Sequence, residues 1–419
     1  MADGTLDARA EVAATDGAPG PAGPLAGVRV LELGTLIAGP FAARLLGDFG
    51  AEVIKVEAPR RGDPLREWGA ARHRGRSLWW PVQSRGKKLV TLDLRTPRGA
   101  ELCRRLVGHS DVLIENFRPG TLERWGLGPD ELLAVNPALI VVRVSGFGQT
   151  GPYAARPGFA SAGEAMGGLR HLNGFPGEAP PRVGLSLGDS LTGLFAAWGA
   201  TMALYHRDAR GGRGQVVDAS ILDSCVAMLE SIPAEYAALG AVRGPSGTGV
   251  ANIAPSNLYR SRDGKWLVIA ANNDNLWPRL CRAMNREDLL ADDRFATHQS
   301  RGAHGTEIDA IVAAWAAERD AAEIDRILTG ADVVCAPVNT IADLFSDPHA
   351  SARQLFAAVA DGELGDVIGP APTPRLSDAP ARSEFTSSWE LGRHNDEVFG
   401  EMLGLEQHEI EELREAAVI

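Results

Sequence analysis

The sequence predicts an α/β protein in which a doubly wound, Rossmann-like parallel sheet forms a large domain, joined to a smaller α+β domain. Between residues 28 and 148, short aliphatic and β-branched runs alternate with helical patterns, which indicates βαβ units. The runs are apolar throughout rather than at every second position, as is typical of strands covered on both faces. The length of 419 residues is enough for about two to three domains.

The predicted elements follow in order along the chain. We expect strands over residues 28–33, 52–57, 90–94, 111–117, 140–148 and 215–221, with helices near 41–48, 97–108 and 130–135. A long helix follows Gly188 and ends near His206. The segment YRSRDGKWLVIAAN predicts a hairpin that turns at residues 262–264, because a polar turn with glycine separates two strand-like runs. Further helices are expected near 275–284 and 307–317.

Four parts of the chain are expected. Residues 1–23 are rich in Ala, Gly, Asp and Pro and predict a disordered tail. The large domain covers 24–240 and the small domain 241–340. The C-terminal segment, 341–419, is expected to return to the large domain, with its last forty residues helical and acidic.

Composition excludes several classes of protein. With 45% apolar and 23% charged residues the chain resembles an ordinary soluble protein. The net charge of −12 disfavours nucleic acids and anionic membranes as partners. Four scattered cysteines indicate neither disulfides nor a metal site, and favour the cytoplasm. The longest apolar run, residues 191–205, is shorter than the roughly 20 residues of a membrane span and is interpreted as a buried helix.

Two glycine motifs have weak support from their surroundings. Gly146–Gly151 matches GxGxxG, but prolines follow where a phosphate-binding helix would begin, so an ordinary loop is favoured. Gly184–Gly188 matches the GxSxG nucleophile elbow around Ser186. The preceding Pro180–Pro181 makes a poor central strand, which weakens a serine hydrolase assignment without removing it.

The third motif places Asp189 at the start of the long helix. One interpretation is a helix N-cap, a position that Asp often occupies. The other is a nucleophile, because a carboxylate with a reference pKa of about 3.9 is charged at neutral pH and needs no general base. The helix dipole and the N–H groups of the first turn favour the charged form in both cases.

A basic stretch from Arg60 to Arg105 contains about thirteen Arg or Lys against about four acidic residues. A solvated face is one interpretation. The other is a phosphorylated ligand of nucleotide size, because the stretch adjoins the ends of two predicted strands and doubly wound sheets bind ligands there. The pair Trp79–Trp80 is interpreted as buried packing.

Several blocks together resemble the class III CoA-transferases of the CaiB/BaiF type, relatives of formyl-CoA transferase and α-methylacyl-CoA racemase. The blocks are PLAGVRVLELGTLIAGPFAARLLGDFGAEVIKVE, LDLRTPRGAELCRRL, DVLIENFRPGTLERWGLG, GDSLTG, GRGQVVDASILD and GADVVCAPVNTIADLFSDPHASAR. The resemblance as a whole extends over about residues 24–419. The resemblance implies transfer of CoA from an acyl-CoA to a free carboxylic acid through an aspartyl anhydride and an aspartyl-CoA thioester. It also implies an interlocked homodimer, with CoA as a substrate and no tightly bound cofactor or metal.

Residue by residue, the resemblance assigns the nucleophile to Asp189. Contacts with CoA fall at Ala38, Leu92, Arg95, Asn116, Phe117 and Arg124, and a glycine flap over the intermediate falls at Gly247 and Gly249. Arginine suits phosphate because its planar fork donates two parallel hydrogen bonds. Strand-end turns, a core aromatic and surface arginines remain the alternatives for the CoA contacts, and an ordinary linker remains the alternative for the loop.

Differences from two related families reduce the range of substrates and reactions expected for this chain. Ile37 and Phe159 stand where formyl-CoA transferases carry Gln and Tyr, so formyl and oxalyl substrates are not expected. Phe159–Ala160 replaces the His-Asp pair of the racemases, which removes the histidine needed for acid/base exchange. The alternatives left open are a racemase-like enzyme, a Ser186 thioesterase or esterase, and a non-catalytic acyl-CoA-binding protein.

Overall fold

A computed structural model describes residues 23–419. The disordered tail expected over residues 1–23 therefore lies outside the described residues, apart from Gly23. No helix within the described range is long and apolar enough to cross a membrane.

The centre of the fold is a sheet of six parallel strands. They are β1 (Arg29–Glu32), β2 (Glu52–Glu57), β3 (Lys87–Thr91), β4 (Val112–Glu115), β5 (Ile140–Ser145) and β6 (Gln215–Ser220). Their order is β3-β2-β1-β4-β5-β6, the order of a doubly wound Rossmann sheet. The predicted parallel sheet is thus confirmed. Strand order reverses between β1 and β4, where such sheets form a ligand crevice at the carboxyl ends of the strands.

Helices cover both faces of the sheet. The helices of the first 240 residues are α1 (Ala38–Asp48), α2 (Trp79–Ser84), α3 (Pro97–Val107), α4 (Thr121–Arg124), α5 (Pro129–Val135), α6 (Ala160–Met166), α7 (Leu169–Leu172), α8 (Leu187–Arg210), α9 (Ile221–Val226) and α10 (Ile232–Leu239), and α7 and α10 bury no residue. Alternate strand residues face opposite layers: Val30 packs with α1 and α8, whereas Leu31 packs with α3 and α5.

A second core surrounds a three-stranded antiparallel sheet. Its strands are β7 (Ser256–Arg260), β8 (Trp266–Ala270) and β9 (Val334–Pro337), so the predicted hairpin with a turn at residues 262–264 is present. The helices α11 (Leu276–Ala283), α12 (His298–Ala303), α13 (Gly305–Ala317) and α14 (Ala321–Gly330) accompany it. Short 3₁₀ helices lie at Pro64–Glu67, Glu287–Ala291 and Asp293–Phe295.

The end of the chain packs on the large sheet. It contains α15 (Ile341–Ser346), α16 (Pro348–Ala352), β10 (Phe356–Asp361), β11 (Gly365–Pro370), β12 (Thr386–Ser387), a π-helix at Asp396–Met402 and α17 (Gln407–Glu415). A small ribbon pairs Arg72–His73 with Arg76–Ser77. Phe399 and Ile410 join the core on the α3 side, and the Asp93 N–H donates to the Val418 carbonyl over 2.7 Å.

Two sequence expectations were wrong in detail. The strand expected over 90–94 lies at Lys87–Thr91, because buried Lys87 pairs with Glu32 (Nζ to Oε2, 2.6 Å) and so occupies a strand despite its charge. The run 191–205 is not buried all round. Its residues Leu194, Trp198 and Tyr205 are 54%, 56% and 59% exposed, because only the opposite face of α8 packs on α1 and the sheet.

Candidate active site

The site begins where β1 and β4 end side by side. Asn116 follows β4, and its side chain binds the backbone of Thr35 in the loop after β1. The Thr35 N–H donates to Asn116 Oδ1 over 2.8 Å, and Asn116 Nδ2 donates to the Thr35 carbonyl over 2.7 Å. Two hydrogen bonds from one amide fix this loop at the reversal of strand order, where a nucleotide would bind.

Buried ion pairs hold the same loop from below. Lys55 Nζ donates to the Gly34 carbonyl over 2.9 Å and pairs with Glu32 and Asp63, each at 2.8 Å. The Leu36 N–H donates to Asp63 Oδ1 over 3.1 Å. Burial alone would lower the pKa of Lys55, but the surrounding carboxylates raise it and keep the ammonium charged. The β1–α1 loop is therefore preorganised by charges that lie inside the protein.

A second buried carboxylate shapes the turn at Phe117. The Phe117 N–H donates to Glu115 Oε2 over 2.7 Å, while Glu115 Oε1 accepts from Arg143 Nε over 2.8 Å. Burial raises the pKa of Glu115 to about 7, with Arg143 opposing the rise. The Phe117 ring packs edge-to-face on Trp125, with ring centroids 5.2 Å apart. The half-buried Phe117 ring is thus supported from one side.

The two arginines expected to contact CoA lie on the surface at this end of the sheet. Arg95 pairs with Asp93 over 2.8 Å, and its side chain is 71% exposed. Arg124, on α4, donates to the Thr121 hydroxyl over 3.0 Å. Both guanidinium groups are accessible to a phosphorylated ligand, although Arg95 already forms an ion pair with Asp93.

Ala38 and Leu92 are buried, at 4% and 2% exposure. A ligand at this edge would therefore meet their backbone rather than their side chains. Ala38 is also where α8 approaches α1 closely, because a Cβ added to Gly193 would lie 2.8 Å from the Ala38 carbonyl oxygen.

The basic stretch from Arg60 to Arg105 is not one continuous phosphate-binding edge. Arg66 binds Glu57 and lies 3.8 Å from the ring centre of Trp80. Of the pair expected to be buried, Trp80 is fully buried, whereas Trp79 is only half-buried and stacks on Trp68. Arg85 forms a buried pair with Asp48. Several cations of the stretch are thus neutralised inside the protein, since a buried charge needs a partner.

Asp189 lies in the first turn of α8. Helices that follow a parallel strand start at its carboxyl edge, and α8 follows β5, so Asp189 lies at the same edge as Asn116. Gly193 comes one helical turn later on the same face, where an added Cβ would lie 2.8 Å from both the Ala38 carbonyl oxygen and the Phe41 ring. The first turn of α8 therefore faces the N-terminal end of α1.

The N-cap interpretation of Asp189 was wrong. Helix α8 begins at Leu187 with Ser186 at the N-cap position, which places Asp189 inside the helix. Its carboxylate is half-buried and accepts no hydrogen bond from residues within the described range. Burial, followed by the charge of Glu164, raises its pKa to about 6, and Arg182 opposes the rise. Asp189 is still ionised at neutral pH, but with a pKa well above its ordinary value.

Glu164 is a site residue that the sequence did not reveal. It lies on α6, is 3% exposed, and its Oε1 accepts the Gly188 N–H over 3.0 Å. Its Oε2 lies 3.8 Å from Arg170 Nε on α7. The only signal in the sequence is a carboxylate within the small and apolar residues of α6, ASAGEAM.

The two glycine motifs do not form catalytic turns. The GxGxxG segment is a loop, as expected, and the next helix starts only at Ala160. Ser186 follows a segment without a strand, since residues 173–186 contain only turns, bends and irregular backbone. The strand-turn-helix geometry of a nucleophile elbow is therefore missing around Ser186.

The glycine loop lies between two segments. The Gly247 N–H donates to the Gly174 carbonyl over 2.9 Å. A Cβ at Gly247, whose φ is +71°, would lie 3.1 Å from the Phe175 ring. On the other side, Thr248 donates to Asn257 Oδ1 over 2.5 Å. A cavity of about 260 Å³ lies beside Gly249, and its lining includes Asn257 but no residue of α8.

Comparison with known proteins gives a consistent result. CoA-transferase family III matches residues 25–395. Succinyl-CoA--D-citramalate CoA-transferase of Chloroflexus aurantiacus is 50% identical over 399 residues, covering 95% of this chain and 99% of that protein. Succinate--glutarate CoA-transferase of Agrobacterium fabrum is 35% identical over 391 residues, covering 92% and 97%. A CAIB/BAIF family protein from Brucella suis superimposes with a TM-score of 0.80 at 35% identity, covering 91% and 99%. The chain belongs to the class III CoA-transferases.

Proposed function

We propose that Asp189 is the nucleophile that carries CoA from an acyl-CoA donor to a free carboxylic acid. The observation that supports it is an ionised, half-buried carboxylate without a hydrogen-bond partner in the described chain, at the carboxyl edge where a nucleotide would bind. A carboxylate used only as a cap would accept backbone N–H groups, as Asp343 does in α15. A free carboxylate at a ligand crevice is equipped to react.

The reaction has four balanced steps. An Asp189 oxygen attacks the acyl carbonyl, the C–S bond breaks, and CoA thiolate leaves with the electron pair. The thiolate attacks the aspartyl carbonyl of the resulting anhydride, releasing the donor's carboxylate and leaving an aspartyl-CoA thioester. The acceptor carboxylate then attacks this thioester and releases the thiolate. The thiolate finally attacks the acceptor's carbonyl and frees Asp189. No net proton is transferred, so no general base is required.

CoA is proposed to bind along the crevice between β1 and β4. Phe117 and the loop fixed by Asn116 offer an apolar surface and backbone groups, with the backbone of Ala38 and Leu92 beside them. Arg95 and Arg124 are exposed cations suited to the phosphates. CoA enters this scheme as a substrate, without a tightly bound cofactor.

The acceptor is proposed to be a dicarboxylic acid and the donor succinyl-CoA. The relatives named above act on succinyl-CoA with D-citramalate and on succinate with glutarate. Arg182 is close enough to Asp189 for its charge to lower that carboxyl's pKa, so it is placed to bind a second carboxylate. Arg182→Met should raise KM for a dicarboxylate more than for a monocarboxylate of equal length. An equal change for both acids would remove Arg182 from substrate recognition.

The glycine loop is proposed to close over the intermediate. An acyl anhydride hydrolyses unless water is kept away, and glycines allow a lid to move. The Gly247 N–H already donates to the Gly174 carbonyl, and the neighbouring Thr248 hydroxyl donates to Asn257. Wild-type enzyme should transfer CoA with little hydrolysis, whereas Gly249→Val should raise the ratio of hydrolysis to transfer. An unchanged ratio would identify the loop as a linker.

A homodimer is proposed to cover the exposed face of α8. Leu194, Trp198, Met202 and Tyr205 form one stripe along the helix, each at least half exposed, and a stripe of this kind marks an interface. Sedimentation should give a dimer for the wild type and a monomer for Leu194→Glu/Trp198→Glu. A monomeric wild type would contradict the proposal. We also propose that the protein is cytoplasmic and that its domain boundaries lie near residues 240 and 340.

Trapping of the intermediate tests the central claim. The enzyme is incubated with succinyl-CoA, treated with hydroxylamine or borohydride, and digested for mass spectrometry. Modification of Asp189 is expected, and Asp189→Asn should bind CoA without modification or turnover. Modification of Ser186 would instead indicate hydrolysis, and binding without modification would indicate a non-catalytic protein. Loss of deuterium from an α-labelled acyl-CoA without an acceptor would indicate racemisation.

A further inference from the structure

Glu164 is a buried carboxylate that binds the first turn of α8. It is almost completely buried on α6, and its Oε1 accepts the N–H of Gly188, the residue before Asp189. The first N–H groups of a helix have no partner within the helix. Ser186, at the N-cap position, supplies no side-chain hydrogen bond. A carboxylate from another helix therefore satisfies the turn that carries Asp189.

The backbone of Gly188 is closely packed. A Cβ at Gly188 would lie 3.0 Å from Ile221 Cγ2 and 3.2 Å from Glu164 Cγ. Thr192 donates to the Gly188 carbonyl over 2.7 Å from one turn further along α8. Both polar groups of the Gly188 backbone are thus engaged while its Cα is enclosed.

Charged groups of both signs act on Asp189. Glu164, from α6, faces it with a like charge, and Arg182, from the loop before α8, opposes that charge. Arg170, on α7, lies 3.8 Å from the far oxygen of Glu164 rather than in a hydrogen bond with it. Cys225, on α9, contributes no charge at neutral pH, because burial raises its thiol pKa to about 11. Glu164 is therefore the anion that acts on Asp189.

From this geometry we infer that Glu164 positions and activates the nucleophile, a role that rests on the function proposed above. Its hydrogen bond to Gly188 fixes the turn that aims Asp189 at the thioester. Its charge repels the carboxylate of Asp189, and that repulsion is relieved as the negative charge moves to the departing CoA thiolate. An interaction that is less favourable in the ground state than in the transition state accelerates the step. Glu164 itself forms no bond to substrate and is a positioning residue.

Two variants separate the hydrogen bond from the charge. Glu164→Gln keeps an oxygen acceptor for the Gly188 N–H and removes the charge, whereas Glu164→Asp keeps the charge and shortens the reach. For the wild type, kcat/KM should fall at low pH with a midpoint near the Asp189 pKa of about 6. For Glu164→Gln this midpoint should fall below the wild-type value but stay above 3.8, because burial, the larger cause of the rise, remains. The plateau rate at pH 8 should also be lower. Glu164→Asp should keep the wild-type midpoint and lose rate.

The rate of Asp189 labelling by succinyl-CoA in a single turnover should follow the same pH profiles. Glu411→Gln, an exposed carboxylate on α17, serves as the control and should keep the wild-type profile. A Glu164→Gln variant that loses rate without moving the midpoint would overturn the activating role and leave only a structural one. A wild type that never labels at Asp189 would instead refute the proposed function, so the two failures are distinguishable.

Discussion

Replacing Asp189, the proposed nucleophile, should make the protein more stable at neutral pH. The pKa of Asp189 is raised from 3.8 to about 6 because the folded protein buries its carboxylate and places Glu164 beside it. Ionised Asp189 therefore destabilises the native state. Raising the pKa by about two, at about 1.4 kcal/mol per unit, lowers the free energy of unfolding by about 3 kcal/mol. Asp189→Asn removes this charge while keeping the shape of the side chain.

The direction of the pKa shift determines the pH range in which Asp189 lowers the stability of the protein. A raised carboxyl pKa costs nothing below the unfolded value of 3.8, costs progressively more up to about 6, and costs its full amount above that. Asp189→Asn should thus gain up to about 3 kcal/mol in the free energy of unfolding at pH 8 and almost nothing near pH 4. Urea denaturation across this range, at one protein concentration, measures the difference. A gain independent of pH, or a loss at pH 8, would refute the reasoning.

Asp343 offers a matched control with the opposite sign. It also lies in the first turn of a helix, α15, but it accepts hydrogen bonds from the Thr340 hydroxyl and N–H. These bonds lower its pKa, so its ionised form is favoured by folding. Asp343→Asn should lose stability at pH 8, and the loss should shrink as the pH falls.

Two further substitutions test how the site is held. Asn116→Ala removes both hydrogen bonds to Thr35, worth about 1 kcal/mol each, so calorimetry should show CoA binding weakened by about tenfold or more; unchanged affinity would remove Asn116 from the binding loop. Gly193→Ala forces a Cβ to within 2.8 Å of the Ala38 carbonyl and should cost about 1–3 kcal/mol in a thermal unfolding experiment. Gly330→Ala, with no atom within 4 Å of the added Cβ, should be nearly neutral, and equal effects would contradict close packing of α8 on α1.

The sheet could be predicted because its signals are local. The run EVIKVE predicted a strand over residues 52–57, and β2 has those bounds. The start of β3 was missed because Lys87 is buried by pairing with Glu32, fifty-five positions earlier in the chain. An ion pair between distant residues leaves no trace in the hydrophobic pattern of either one. The burial of such a lysine therefore depends on tertiary contacts.

The site residues, like the strands, differ in how far the sequence predicts them. The strand pattern placed Asn116 and Phe117 at the end of β4 and Asp189 at the start of a long helix, and parallel strands end at one edge. Their roles came only from the resemblance to the class III CoA-transferases and stay predictions. Glu164 could not be placed from the sequence, because its importance depends on a hydrogen bond to Gly188, which joins two helices that lie apart in sequence. The protonation state of Asp189 was also only partly predictable. Its reference pKa gave the charge at neutral pH but not the rise caused by burial.

Two carboxylates lie close together at the start of α8, and their surroundings differ. Glu164 is 3% exposed and its oxygens are engaged by the Gly188 N–H and approached by Arg170, so attack on a substrate would require breaking these contacts. Asp189 is half-buried and accepts no hydrogen bond from the described residues. Environments that separate the behaviour of paired carboxyl groups are how acid, base and nucleophile roles are divided in enzymes. Of the two carboxylates, Asp189 can leave its present surroundings without losing a hydrogen bond to the described residues, and this is the difference that the proposed roles of nucleophile and positioning residue require.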